Sequence, residues 1–109
     1  MDKQECVILI GDIIVLLDTQ SGSLSPDDPR RKKLDKIRDL LSDRQLQLIK
    51  MVFDEGTAAY HAATVQLKAV TKTIKESIDD VNQAAESFAA LAGFISAVDG
   101  LIGLAADMA

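Results

Sequence analysis

The sequence predicts an all-α fold: an antiparallel bundle of three helices, or four if the long last helix breaks. Three observations predict it. Apolar residues advance by threes and fours from Leu67 to Ala105 without a phase error. Helix-starting pairs, Asp28-Pro29 and Gly56-Thr57, stand ahead of periodic runs. Only two Pro and six Gly interrupt 109 residues that are 48% hydrophobic, which excludes a disordered or collagen-like chain. A chain of this size hides roughly 65% of its surface on folding. One domain spanning residues 1–109 is therefore expected, with a core of its own but no room for a deep substrate cavity as well.

The first helix is expected over residues 3–18. Its polar or small positions, Gln4, Glu5, Gly11, Asp12, Asp18 and Thr19, repeat at intervals of seven, the signature of two helical turns. Its wide apolar surface includes Ile10, Ile13, Ile14 and Leu17. A hairpin competes, because half of Cys6 to Leu17 is β-branched and Gly11-Asp12 suits a two-residue turn between strands 5–10 and 13–18. The same apolar run invites comparison with a signal peptide. The acids Asp2 and Glu5 ahead of it, Asp12 at its centre and the loose cleavage match at Ser21 to Ser23 argue against one, so the expected location is cytoplasmic, with a secreted or membrane-associated form as the alternative.

Residues 19–28 collect Ser, Gly, Asp and Pro and read as a loop. Asp28 then stands as an N-cap with Pro29 at the first helical position, opening a helix over 29–55. Its stripe is Leu34, Ile37, Leu41, Leu48 and Val52, with Leu46, Ile49 and Phe53 beside it. Ser42 followed by Gln45 resembles a capping box and permits a bend near residue 42. Gly56 and Thr57 end this helix and cap the next.

The last helix is expected over 58–107, with a bend permitted near Asp80 or Gly93. Its stripe runs Leu67, Val70, Ile74, Ile78, Val81, Ala85, Phe88, Leu91, Ile95, Val98, Ile102, Ala105. Lys72 with Glu76 and Lys75 with Asp79 are opposite charges four apart on its outer face. Unbroken from 58 to 97 it would be roughly 60 Å long, more than twice the first helix. It must bend, or find something beyond the monomer to pack against.

Its final third carries two faces. Phe88, Leu91, Ile95 and Val98 form a large-residue face; Ala89, Gly93, Ala97 and Gly100 form a small-residue face of the kind that lets another helix backbone approach closely. These eight residues are the expected partner interface. The other helices of the chain are the plainer candidates to cover them, and a bilayer is the third.

Charge is uneven. The formal total is -5, yet residues 1–29 hold one base and six acids (net -5), residues 30–50 eight bases and three acids (net +5), and residues 51–109 three bases and eight acids (net -5). The overall acidity disfavours general nucleic-acid binding. The bases Arg30, Arg31, Lys32, Lys33, Lys36 and Arg38 oppose the dipole at the start of their helix, so an acidic partner is one reading of them. The other is a solvated face partly neutralised by Asp27, Asp28, Asp35 and Asp39. No aromatic residue stands among the bases to stack on a nucleobase.

Catalytic signatures are missing. The sequence has no Cys-x-x-Cys, phosphate-binding Gly-rich loop, Gly-x-Ser-x-Gly or His-Glu-x-x-His. His61, the sole histidine, lies six and seven positions from Glu55 and Asp54, outside the Glu-x-x-His spacing of helical metal sites, and reads as structural. Glu76, Asp79 and Asp80 read as a solvated acidic face. Cys6 has no disulfide partner and reads as a small hydrophobe.

The expectation is a non-enzymatic protein–protein interaction module without cofactor, metal or small-molecule substrate. It self-associates or docks on a larger helical partner through amphipathic, coiled-coil-like faces. A membrane-active helical protein of the pore-forming or translocation kind is the first alternative, and a regulatory module touching nucleic acid or another acidic partner the second.

Overall fold

The computed structural model describes residues 2–77, 84–105 and 107–108. Among them four helices form: α1 (Lys3–Gly22), α2 (Pro29–Lys50), α3 (Ala58–Ser77) and α4 (Ala84–Ile102). Two short strands, β1 (Met51–Val52) and β2 (Asp107–Met108), pair antiparallel with Met51 opposite Met108. The fold is all-α.

Each helix start has a local cause. Asp2 accepts the Glu5 amide at 2.8 Å, and Asp28 accepts the Arg30 amide at 2.9 Å with Pro29 as the first helical residue. Thr57 Oγ1 accepts the Tyr60 amide at 3.1 Å and so caps α3, as the Gly56-Thr57 pair predicts. Lys3 reaches the far end of α2, where its ammonium donates to the carbonyls of Ile49 (3.1 Å) and Met51 (2.9 Å). Cationic donors there satisfy carbonyls that the helix leaves without partners.

The helices pack in a ring, α1 beside α2, α2 beside α4, α4 beside α3, α3 beside α1. Cross-helix bonds fix their directions. Asp18 meets Arg38, and the Gln45 amide donates to the Val7 carbonyl at 3.0 Å, so numbers rise on α1 as they fall on α2 and the two are antiparallel. Lys33 lies over Phe88 and Arg44 bonds Asp99, a constant offset that makes α2 and α4 parallel. Lys75 pairs with Asp12 at the upper end of an α1/α3 contact that begins near Glu5 and His61, so α1 and α3 are parallel too.

The core is a single cluster. Ile10, Ile13, Leu17, Leu34, Leu41, Leu48, Leu67, Ile74, Leu91, Phe94, Val98 and Leu101 are each fully buried. On α2 the buried leucines recur every seventh residue. The four apolar residues expected to face inward from α1, Ile10, Ile13, Ile14 and Leu17, do so, which settles helix over hairpin for this segment.

Several boundaries differ from expectation. α1 continues to Gly22, through the first four residues read as loop, because Gln20 and Ser21 are buried and the Ser21 hydroxyl bonds Asp35 of α2. Thr19 and Ser23 also turn their hydroxyls back to carbonyls one helical turn earlier, at 3.0 and 3.1 Å, and so tolerate the helix. α2 runs straight past Ser42 and stops at Lys50, not 55, where the Lys3 ammonium and the β1/β2 pairing take over its last backbone groups. Leu46, Ile49 and Val52, expected on or beside its stripe, are 57%, 48% and 46% exposed.

The rod expected over 58–107 is two helices side by side. The permitted bend at Asp80 falls outside the described residues, as do Ile78, Asp79 and Val81; at Gly93 α4 passes through unbroken. The helix ends at Ile102, and Asp107–Met108 is strand. The core face of α4 is also displaced: Phe94 and Leu101, absent from the expected stripe, lie at its centre, whereas Phe88, Ile95 and Ile102 sit at its margin. Apolar residues surround α4 so completely that period alone did not select which side turns inward.

Candidate functional site

The expected interface on α4 is largely spent inside the chain. Leu91 and Val98 are fully buried and Ala97 is 5% exposed, so as partner-contact residues these three are corrected to core. Phe88 and Ile95 are half-buried against the same cluster. Ala89 and Gly100 are exposed and Gly93 is half-buried; a Cβ built on Gly93 or Gly100 would meet no atom within 4 Å.

The basic island on α2 is similarly occupied. Arg30 grips Asp28 at 2.8 Å, which holds the Asp28 carboxyl below the usual carboxylate range and raises the guanidinium. Arg31 donates to the Leu24 carbonyl at 3.0 Å, Arg38 pairs with Asp18 at 3.1 Å, and Lys33 stands 4.2 Å over the Phe88 ring. Lys32 and Lys36 alternate with Asp35, Asp39 and Asp43 along a shallow trough. Intramolecular partners thus supply a local reason for bases that oppose the helix dipole.

Chemistry is sparse elsewhere too. Cys6 is fully buried, its sulfur 3.9 Å from the Tyr60 hydroxyl. Burial pushes both the Cys6 thiol and the Tyr60 hydroxyl above their ordinary values, so neither is charged near neutral pH. Phe53 packs against Tyr60 with the rings tilted by 47° and their centroids 5.7 Å apart. His61 is exposed. No group of three His, Cys, Asp or Glu residues that would hold a metal ion occurs among the described residues. Lys75 reaches across to Asp12 at 3.4 Å, while Asp79, the partner expected for it, and Asp80 lie outside those residues.

Among the described residues, an open apolar feature is the seam between α1 and α3. These helices touch over a shorter stretch than α1 and α2 do. Near Glu5, Ile8, His61 and Val65 the seam encloses about 410 Å³, and along Leu9, Ala69, Lys72 and Lys75 it continues as a trough of about 620 Å³. Leu9, Val65 and Lys68 line both stretches, so the two form one groove. Its apolar surface is wet: Ile8 is 57% and Val65 54% exposed.

The groove owes its openness to side chains. On the inner side of α3 two positions of the buried row Tyr60, Thr64, Leu67, Thr71, Ile74 are threonines. Their hydroxyls turn back to the carbonyls of His61 (2.9 Å) and Leu67 (2.7 Å), which satisfies them without a partner on α1. The walls differ in charge. α1 presents Glu5 and Asp12, and α3 presents Lys68, Lys72 and Lys75 with Glu76.

Ile8 and Val65 had no marker in the sequence, since α1 is apolar on nearly every side and the outward positions resemble the inward ones. No helix of the described residues is long and apolar enough to cross a membrane. No protein-family model, curated protein or solved structure matches this chain.

Proposed function

We propose that the chain is a non-enzymatic helical interaction module that binds a protein partner through an exposed apolar groove. The observation that supports this reading is the α1/α3 seam, where Ile8 and Val65 line a groove and stay more than half exposed. Burying the exposed half of these two side chains contributes roughly 1–1.5 kcal/mol each. That is a useful share of a micromolar affinity, which needs about 8 kcal/mol in total. The surface proposed here differs from the one expected on α4, because α4 keeps its large side chains for the core.

A photo-crosslinking side chain placed at Val65, with one at Asp39 on α2 as the control, tests the reading in the native cell. Protein adducts that form at Val65 and not at Asp39 support it. Equal yields at both positions, or none at Val65, would refute it.

A further inference from the structure

The groove has a charge pattern that selects an occupant. α1 from Lys3 to Gly22 carries Glu5, Asp12 and Asp18 against Lys3; Lys3 is engaged by the end of α2 and Asp18 by Arg38, while Asp12 meets Lys75 in an exposed pair at the end of the groove, which leaves Glu5, among the described residues, as the unpaired acid that α1 brings to it. α3 from Ala58 to Ser77 carries Lys68, Lys72 and Lys75 against Glu76. One wall is acidic and the other basic, the two run parallel, and the apolar floor lies between them. A surface of this form is complementary to itself when turned about an axis along the groove. The rotation places each acidic wall on the basic wall of the other copy and keeps all four helices parallel.

Resting on the interaction-module reading and naming its partner, we propose that the groove is occupied by a second copy of this chain in a two-fold dimer, α1 of each copy on α3 of the other. Ile8 and Leu9 of one copy then cover Val65 and Ala69 of its mate. A rotation axis across the groove would instead set α1 on α1 and α3 on α3, acid on acid and base on base, which the charges oppose. Two adjacent 20-residue helices offer a face about 30 Å long and about 20 Å wide, so a dimer hides on the order of 1,200 Å² in total. That is the lower edge of stable interfaces and fits an association in the micromolar range.

The test uses two charge-reversal variants of the full chain. One, Lys68→Glu with Lys72→Glu, makes both walls acidic; the other, Glu5→Lys with Asp12→Lys, makes both basic. Sedimentation equilibrium at tens of micromolar is expected to show dimers for the native chain. Each variant alone is expected to be monomeric, with association weakened at least tenfold, and an equimolar mixture is expected to recover dimers. Circular dichroism verifies that each variant keeps its helix content. A native chain that stays monomeric overturns the dimer, as does a variant that dimerises as well as the native chain or a mixture that fails to associate.

The two readings fail separately. Monomeric native protein with Val65 adducts to a different protein in cells removes the dimer and keeps the interaction module. Flotation of the monomer with anionic vesicles, with no protein adduct at Val65, removes both.

Discussion

The two seams that α1 makes with its neighbours are built on opposite terms. Against α2, α1 is fastened along its whole length, by Lys3 on the end of α2, by Gln45 on the Val7 carbonyl, by Arg38 on Asp18 and by Ser21 on Asp35. Gly11 sits in the middle of this seam. A Cβ there would come within 3.1 Å of Gln45 Nε2, so the missing side chain leaves space for the bond to Val7. Against α3, α1 has the buried Cys6–Tyr60 contact near its start, one exposed ion pair, Lys75 to Asp12, and a groove between them. A helix that is apolar all round must be covered on more than one side. This one is covered by its own chain on the first side and left wet on the second, which is the physical case for a binding surface there.

The comparison is sharpest within one residue type on one helix. Ile13 is fully buried and Ile8 is 57% exposed. Ile13→Ala is expected to cost about 2–5 kcal/mol of unfolding free energy, since it leaves a cavity in the core. Ile8→Ala is expected to stay within about 0.5 kcal/mol in dilute solution. Urea denaturation of both variants measures the difference, and equal losses would mean that the groove is closed in solution by the chain itself.

Alkaline pH probes the floor beneath the same seam. Tyr60 is the sole tyrosine, and burial lifts its hydroxyl above the ordinary value of 10.0. The neutral phenol is therefore favoured by the folded state. Its contribution is complete below the unfolded value and declines as pH rises past it, by up to about 1.4 kcal/mol per pH unit until the folded value is reached. Phenolate absorbance is expected to appear only as the chain unfolds, and Tyr60→Phe is expected to flatten the stability profile above pH 10. A tyrosine that ionises at its ordinary value while circular dichroism is unchanged would place it in water.

The α2 seam supplies a third, smaller effect. Gln45→Ala removes the hydrogen bond to Val7 and is expected to cost about 0.5–1.5 kcal/mol. On α4 the sign reverses. With no atom within 4 Å of a Cβ at Gly93, Gly93→Ala is expected to raise stability by about 0.5–1 kcal/mol through the lower entropy cost of ordering alanine in a helix. A loss at Gly93 would show instead that another helix backbone lies against it.

These contrasts also mark what the residue pattern makes legible. α2 was readable because Leu34, Leu41 and Leu48 repeat among charges, so a single face is apolar and burial follows from period. The caps at Asp28 and Thr57 were readable because their chemistry is local. α4 was not, since Phe88, Leu91, Phe94, Ile95, Val98 and Leu101 leave two apolar faces of similar strength. Which one turns inward depends on α2 and α3, whose placement no local pattern records. The groove escaped for the same reason: Ile8 and Ile10 look alike until another helix covers one of them. Pairing by sequence proximity misled likewise at Lys75, whose ion partner Asp12 lies 63 positions away.

That ion pair is where the smallest effect is expected and where the two seams meet in a measurement. Lys75 and Asp12 are half exposed at 3.4 Å, so water screens them, and such pairs contribute about 0–1 kcal/mol. Asp12→Asn is therefore expected to change monomer stability by less than about 1 kcal/mol, and the change is expected to fade in high salt. In a dimer the same carboxylate also faces the lysines of the second copy, so Asp12→Asn is expected to weaken association more than it weakens the fold. Denaturation midpoint and sedimentation read the two losses separately. If association is unchanged while stability falls, Asp12 serves only its own chain, and the acidic wall must be carried by Glu5 alone.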